Sequence, residues 1–446
     1  MNSTLKERLS IVPEEELGKF LAMFKEGRMP EFNAGMTSHF RIAKEKSEKF
    51  SNHPKALGIS VGGTNAKLIL ASMQKGSMVV HHVSAAMNPP EKIHVYDFFN
   101  KVLLGDPVFA EYLKNTPRPV VGISVPTRVL GGIPFHETKV PTIDGLMARN
   151  QAQMTDEYNL SKSFARYLKM NGLGEASLFY QADGIVAHHG AVARCDMAVD
   201  DRSTLFVCGT GMATGDEEAY IQNGIIPMLT GDEELFPAAA TENHQIHYAT
   251  AGKGIFGLMM RAIRIRAVEG GSALKGYEGT LEPFFKGNPA TRTVGLIWAT
   301  SLGAPARDDA KKIKDILSPE AYREMETLAG WIMDRCVQSM ATTTLATIAK
   351  MGRAPSGRGH IIFFEGSIAN DAFAHPRLKA EIKRLTEKTG IYLSRGLEQP
   401  LLPEMDISYR PVLAGEGISP DDMAKVDLTA LGAASMAMAE NLRGIA

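Results

Sequence analysis

Residues 56–73 read ALGISVGGTNAKLILASM: two runs of apolar, largely β-branched residues hinged on Gly62-Gly63-Thr64-Asn65. Runs of this length around a Gly-rich break predict two strands and a tight turn. The turn also has chemical meaning. Paired glycines let backbone N–H groups approach a phosphate without a Cβ in the way, and Thr64 and Asn65 add donors. The pattern is neither a P-loop (GxxxxGK followed by Ser or Thr) nor a dinucleotide fingerprint, because a strand rather than a helix follows. Gly-Gly hairpins are common, so this turn needs companions before it indicates a ligand.

Outward from it, MVVHHVS predicts a third strand, 94–114 a helix, PVVGISVP (119–126) a strand, and 151–171 a second helix after a Gly/Pro-rich segment at Gly131–Pro141. LFYQAD (178–183) predicts another strand and 184–194 an Ala-rich helix. A second unit then opens in the same way. Strand LFVCG (205–209) runs into Gly209-Thr210-Gly211, and HIIFFEGS (360–367) runs into Gly366-Ser367. Between them, 319–351 predicts a long helix whose Met325, Met333 and Met340 are spaced for a core rather than a ligand site. A closing helix covers 427–440. Strands alternating with helices in both halves predict an α/β protein. Three glycine turns, each at a strand end, suggest a nucleotide held in a cleft between two lobes. The expected divisions are 1–52, a helical lead-in with Leu17, Phe20, Leu21 and Phe24 on one face, then lobes at 53–204 and 205–446.

Composition narrows the function classes. The 446 residues carry 49 basic and 50 acidic side chains, a net charge of −1, which removes the long-range field of a nucleic-acid binder. Cys195, Cys208 and Cys336 lie far apart and form no CxxC pair, so a reducing, cytoplasmic setting is expected rather than a disulfide framework or structural zinc. The longest apolar uncharged stretch, Leu428–Ala439, is well short of the ~20 residues a bilayer span requires, and no membrane partner is expected. His188-His189 and His244-x-x-His247 lack a third ligand at metal-site spacing.

Asp183 stands where a predicted strand turns into a helix. A carboxylate at the carboxyl end of a parallel strand sits where open α/β sheets bind ligands, and it could take a proton from an attacking hydroxyl. The alternative is a carboxylate that merely caps the helix.

With these segments in order, the chain resembles the hexokinase family, within the sugar-kinase and actin-like ATPase superfamily. That resemblance spans roughly residues 15 to 440 and implies a two-lobed actin-like (ribonuclease H-like) fold with a ligand cleft between lobes. It places Gly62, Gly63, Thr64 and Asn65 on the first phosphate segment, Gly209, Thr210 and Gly211 on the second, and Gly366 and Ser367 on the adenosine segment. Ser124, Thr138 and Lys139 fall on the sugar-binding stretch, Glu242, Asn243 and His247 on sugar ligands of the large lobe, and Asp183 on the catalytic base. The implied activity is ATP-dependent phosphorylation of a hydroxyl on a hexose or sugar-like substrate. MgATP would be the donor, with no nucleic-acid partner, and a homodimer is compatible with the likeness. The departures are Ser60 for an Asp on the Mg²⁺ side, and Ala182 and Ala213 for two Asn. They imply a retuned sugar pocket, with a catalytically inactive sugar or nucleotide sensor as the alternative.

Overall fold

The computed structural model describes residues 37–62, 65–84, 87, 93–135, 145–208, 212–216, 220–222, 252–268, 270–285, 289–351, 359–366, 371–389 and 402–445. Two compact units divide the chain. Asn33–Asp201 and Asp406–Ala446, with Gly215–Tyr220, make the first; Arg202–Thr214 and Ile221–Met405, with Met1–Phe32, make the second.

In the first unit, strands β1 (His53–Val61), β2 (Ala66–Gln74), β3 (Ser77–Val83) and β4 (Val120–Val125) are followed by a short hairpin, β5 (Arg128–Leu130) and β6 (Ile133–Phe135), and by β7 (Ser177–Ala182). The sheet of the second unit is built from β8 (Ser203–Cys208), β9 (Met212–Asp216), β10 (Tyr220–Gln222) and β11 (Ile361–Glu365), with Gly215, Asp216 and Tyr220 grouped with the first unit; β12 (Leu413–Ala414) returns to the first. The larger sheet runs β12-β3-β2-β1-β4-β7. Its β1, β2 and β3 form an antiparallel meander, while β4 and β7 lie parallel to β1.

Both faces of this sheet are covered, as its near-continuous apolar strands require. Leu57, Ile59 and Val61 of β1 and Val121, Ile123 and Val125 of β4 share a core with Phe98, Phe99, Phe164 and Tyr167. Those aromatics come from α2 (Val95–Leu104) and α4 (Leu160–Met170), which flank α3 (Pro107–Asn115) in sequence; α1 is Thr37–Glu45. The opposite face takes α5 (Asp183–Ala193) and the last long helix, α10 (Leu428–Ile445). Here the strands carry glycine. The tetrapeptide Gly-Ile-Ser-Val occurs at 58–61 and again at 122–125, and the two copies pair in parallel register, Gly58 with Gly122 and Ser60 with Ser124. A Cβ at Gly58 would overlap the carbonyl oxygen of Ala430, and one at Gly122 that of Ala433. The bare backbone of both strands is what lets α10 lie this close.

The second unit has sheet order β10-β9-β8-β11 with β11 parallel to β8, matching β3-β2-β1-β4 strand for strand. Its core gathers α6 (Gly252–Val268), α7 (Pro289–Ser301), α8 (Pro319–Met351) and α9 (Ala374–Thr389). Met325, Met333 and Met340 of α8 are buried in it beside Trp298 and Leu378, as their spacing predicts. Among the described residues no helix is long and apolar enough to cross a membrane.

Several expected elements are corrected. The helix read over 94–114 is two helices, because Asp106 accepts a hydrogen bond from the Val108 amide (3.0 Å) and Pro107 starts a new helix. The one read over 151–171 is two single 3₁₀ turns followed by α4, which Asn159 caps by accepting from the Lys162 amide (3.0 Å). The closing helix, expected in the second lobe, packs on β1, β4 and α5 of the first unit. The lead-in face of Leu17, Phe20, Leu21 and Phe24 lies outside the described residues.

Candidate functional site

The carboxyl ends of β1, β4 and β7 bring the sequence-read residues of the first unit into one row. Parallel register pairs Ser60 with Ser124 and Ser124 with Gln181. Each serine lies two residues beyond Gly58 or Gly122, so these side chains share the face that carries α10. Ser124 is fully buried, and its Oγ has no hydrogen-bond partner among the described residues. An orphaned buried hydroxyl costs about 1–3 kcal/mol and is one of the exceptions that calls for an explanation such as a ligand.

Asp183 is half-buried, one residue beyond the end of β7, and it opens α5. The N-cap position belongs to Ala182, which has no side-chain oxygen to offer, so Asp183 is not the cap residue. Its Oδ1 accepts from the amide of Gly184 (2.8 Å), which orients one carboxylate oxygen. Gln181 accepts from the Ala182 amide through its own side-chain oxygen (2.9 Å), fixing the turn from strand to helix. A carboxylate held in this way can accept a proton from a hydroxyl brought beside it.

At the end of β1 the Gly62 amide donates to the Asn65 carbonyl (2.8 Å), closing the turn between β1 and β2. Lys67 is the antiparallel register partner of Ser60 and so lies on the same face. Its Nζ donates to Asp427 Oδ2 (3.0 Å), while Asp427 Oδ1 accepts from the Ala430 amide (3.1 Å). One carboxylate thus caps α10 and holds a cation beside the turn. Sequence reasoning passed over Lys67, Asp427 and Gln181. The available signal was Lys67 itself, the one charge between Ala56 and Met73.

In the second unit, Gly366 ends β11 with φ +96°, a left-handed conformation that side chains rarely adopt. Gly63, Thr64, Thr138, Lys139, Gly209, Thr210, Gly211, Glu242, Asn243, His247 and Ser367 lie outside the described residues. So does Ala213's neighbouring turn, although Ala213 itself is in β9. His188 and His189 are fully buried in α5, with ring centroids 4.9 and 5.5 Å from that of Phe40, as core residues are.

Lys67, two residues past the turn that the Gly62 amide closes, places a cation beside it, a group that suits a phosphate-bearing ligand. Among the described residues no three Asp, Glu, His or Cys side chains gather, and Ser60 presents a hydroxyl. Mg²⁺ at such a site takes its ligands chiefly from phosphate oxygens and water.

Comparison with solved structures gives the architecture its name. A hexokinase from Schistosoma mansoni complexed with glucose aligns over 97% of this chain and 97% of its own, with TM-score 0.64 and 12% identity. A second hexokinase structure aligns over 98% of each chain, with TM-score 0.57 and 14% identity. The chain has the hexokinase fold. Neither a protein-family model nor a curated protein matches the sequence. The hexokinase fold accounts for the two sheets of like strand order and the α/β class read from the sequence. At 12–14% identity it is shared architecture, and the chemistry rests on this chain's own residues.

Proposed function

We propose that this protein is a kinase that transfers the terminal phosphoryl group of ATP to a hydroxyl of a hexose or sugar-like alcohol. The observation that carries the reading is the row at the carboxyl ends of β1, β4 and β7: the closed turn at Gly62–Asn65, the orphaned Ser124 hydroxyl and the oriented Asp183 carboxylate. MgATP, when bound, supplies the phosphoryl group and leaves as MgADP. The turn at 62–65 offers amides to its phosphates, and Lys67 lies near enough to offset their charge, sharing its Asp427 partner. Ser124, with Thr138 and Lys139, meets sugar hydroxyls, and in the large lobe Glu242, Asn243 and His247 do the same. Gly209–Gly211 and Gly366-Ser367 take the remainder of the nucleotide.

Asp183 accepts the proton of the attacking hydroxyl as its oxygen bonds to phosphorus and the bond to the bridging oxygen breaks. The proton passes to solvent once product leaves. Ala182 and Ser60, where the family has Asn and Asp, leave fewer polar partners for a sugar, which favours a hydroxyl pattern other than that of glucose.

The test is ADP release from MgATP over glucose, mannose, fructose, glucosamine, N-acetylated hexosamines and cyclitols, with the wild-type chain and Asp183→Asn. Turnover on one member, lowered at least ~10³-fold in the variant with binding retained, supports the reading. ATP and sugar binding with no turnover in the wild-type chain replaces it with a non-catalytic sensor, the reading that Ser60, Ala182 and Ala213 favour.

A further inference from the structure

The first unit has a second concavity at the other end of its sheet. A cavity of about 820 Å³ opens where β1, β4 and β7 begin and α10 ends. Val120 opens β4 and lines this cavity, whereas Ser124 and Val125 lie at the opposite end. At ~3.3 Å per residue the two ends of that strand are about 17 Å apart, so the cavity is separate from the row of Ser60, Ser124 and Asp183. Its volume falls within the range of small-molecule sites, and it is open to solvent along one side.

The lining is chemically asymmetric. Tyr112 and Phe179 supply aromatic wall. The Tyr112 hydroxyl donates to the Lys55 carbonyl (2.8 Å) and accepts from the Val120 amide (3.0 Å), which fixes the floor. Three cations, Lys55, Arg118 and Arg443, face one carboxylate, Glu440. Glu440 and Arg443 are joined at 2.8 Å on the last turns of α10. That wall therefore carries both the carboxylate and the partial negative charge of a helix C-terminus. Lys55 and Arg118 stand on other elements and have no ion-pair partner among the described residues. Arg118 is also the only residue between Pro117 and Pro119, and its φ is +52°. A residue before proline is normally driven to extended backbone. Local strain of this kind persists where the surroundings fix it, and it clusters at ligand clamps.

We propose that this cavity binds a small polyhydroxylated organic anion, its phosphate or carboxylate held by Lys55 and Arg118 and its hydroxyls directed at Asn441 on the α10 wall. The orientation follows from the charge layout, since an anion placed against α10 would meet Glu440 and the helix carbonyls. This site is independent of the kinase reading, and binding alone reads it.

The experiment is titration calorimetry of the full chain with sorbitol 6-phosphate, gluconate and inorganic phosphate, on wild type, Lys55→Gln/Arg118→Gly and Asp183→Asn. Glycine at 118 removes the charge without asking more of the backbone, and both replaced side chains are exposed, so the double variant should keep the wild-type melting profile. The expected result is binding of sorbitol 6-phosphate or gluconate that the double variant weakens at least tenfold and Asp183→Asn leaves unchanged. Binding of the first and not the second identifies a phosphate site; the converse identifies a carboxylate site. Equal affinity in the double variant, no binding of any probe, loss in Asp183→Asn instead, or inorganic phosphate binding as tightly as the polyols would each overturn the proposal.

Discussion

Ser124 concentrates a conflict between stability and use at one oxygen. Its buried hydroxyl has no partner among the described residues, so Ser124→Ala removes a desolvation cost and should stabilise the ligand-free chain by about 1 kcal/mol, read as a rise of a few degrees in melting temperature. The same change should lower kcat/KM for the accepted sugar about tenfold or more. A variant that loses stability would show that the hydroxyl is satisfied without ligand. His53 behaves differently. Burial holds its imidazole below the usual range, Nδ1 donates to the Pro54 carbonyl (2.8 Å), and Nε2 faces the Asn441 amide at 3.4 Å. A folded-state value below the unfolded one means stability that is present above ~6.5 and lost as pH falls through the depressed value. Burial lowers His81 as well, with Lys55 adding to the effect, so the two histidines act together. Melting temperature should therefore drop between pH 7 and pH 5.5, and His53→Gln should flatten part of that drop. Glu440 has the opposite sign: burial raises its carboxyl despite Arg443, so charging it as pH rises costs stability. Glu440→Gln should melt at or above the wild-type temperature at pH 8, checked on the same instrument.

Among elements, α10 fits closely against the strands beneath it. Gly58 and Gly122 lie under the carbonyls of Ala430 and Ala433, so a single methyl at either strand must move backbone rather than a side chain. Gly122→Ala should cost at least about 3 kcal/mol in urea unfolding of the first unit. Lys67→Met makes the contrasting case. The Lys67–Asp427 pair is partly exposed, so its loss should cost less than about 1 kcal/mol while raising KM for ATP about tenfold. Strands β1, β2, β4 and β7 were legible because each is a short apolar run between glycine or proline breaks. The break at Asp106-Pro107 was missed because apolar spacing continues through Val102, Val108 and Phe109 on both sides of it. Asp183 was correctly set at the junction of β7 and α5, but strand periodicity could not show that it belongs to the helix. Lys67 and Asp427 lie 360 residues apart, and nothing local in the sequence joins them.

For the whole molecule, the matched sheet orders made the two-part organisation legible as repeated strand-to-glycine junctions, whereas the return of the chain to its first unit was not. That return is a matter of nonlocal packing: Leu428–Ile445 reads as an amphipathic-poor, alanine-rich helix that could close either half. A chain ending at Met405 would lack β12 and α10 and leave Gly58, Gly122 and their strand face uncovered. Hydrogen exchange should then show β1 and β4 losing protection while α8 and β11 of the second unit keep theirs. Equal protection of β1 in the truncated chain would mean that α10 is ornament rather than core.

The same return fixes an order of events on the ribosome. The glycine-bearing face of β1 and β4 is synthesised well before its cover, α10, with the bulk of the second unit between them. At ~5–20 residues per second the stretch from Arg202 to Met405 takes roughly 10–40 s to synthesise, longer than a domain needs to collapse. Through that interval the sheet of the first unit stands without α10, and the Ile221–Met405 stretch of the second unit is complete before that cover is made.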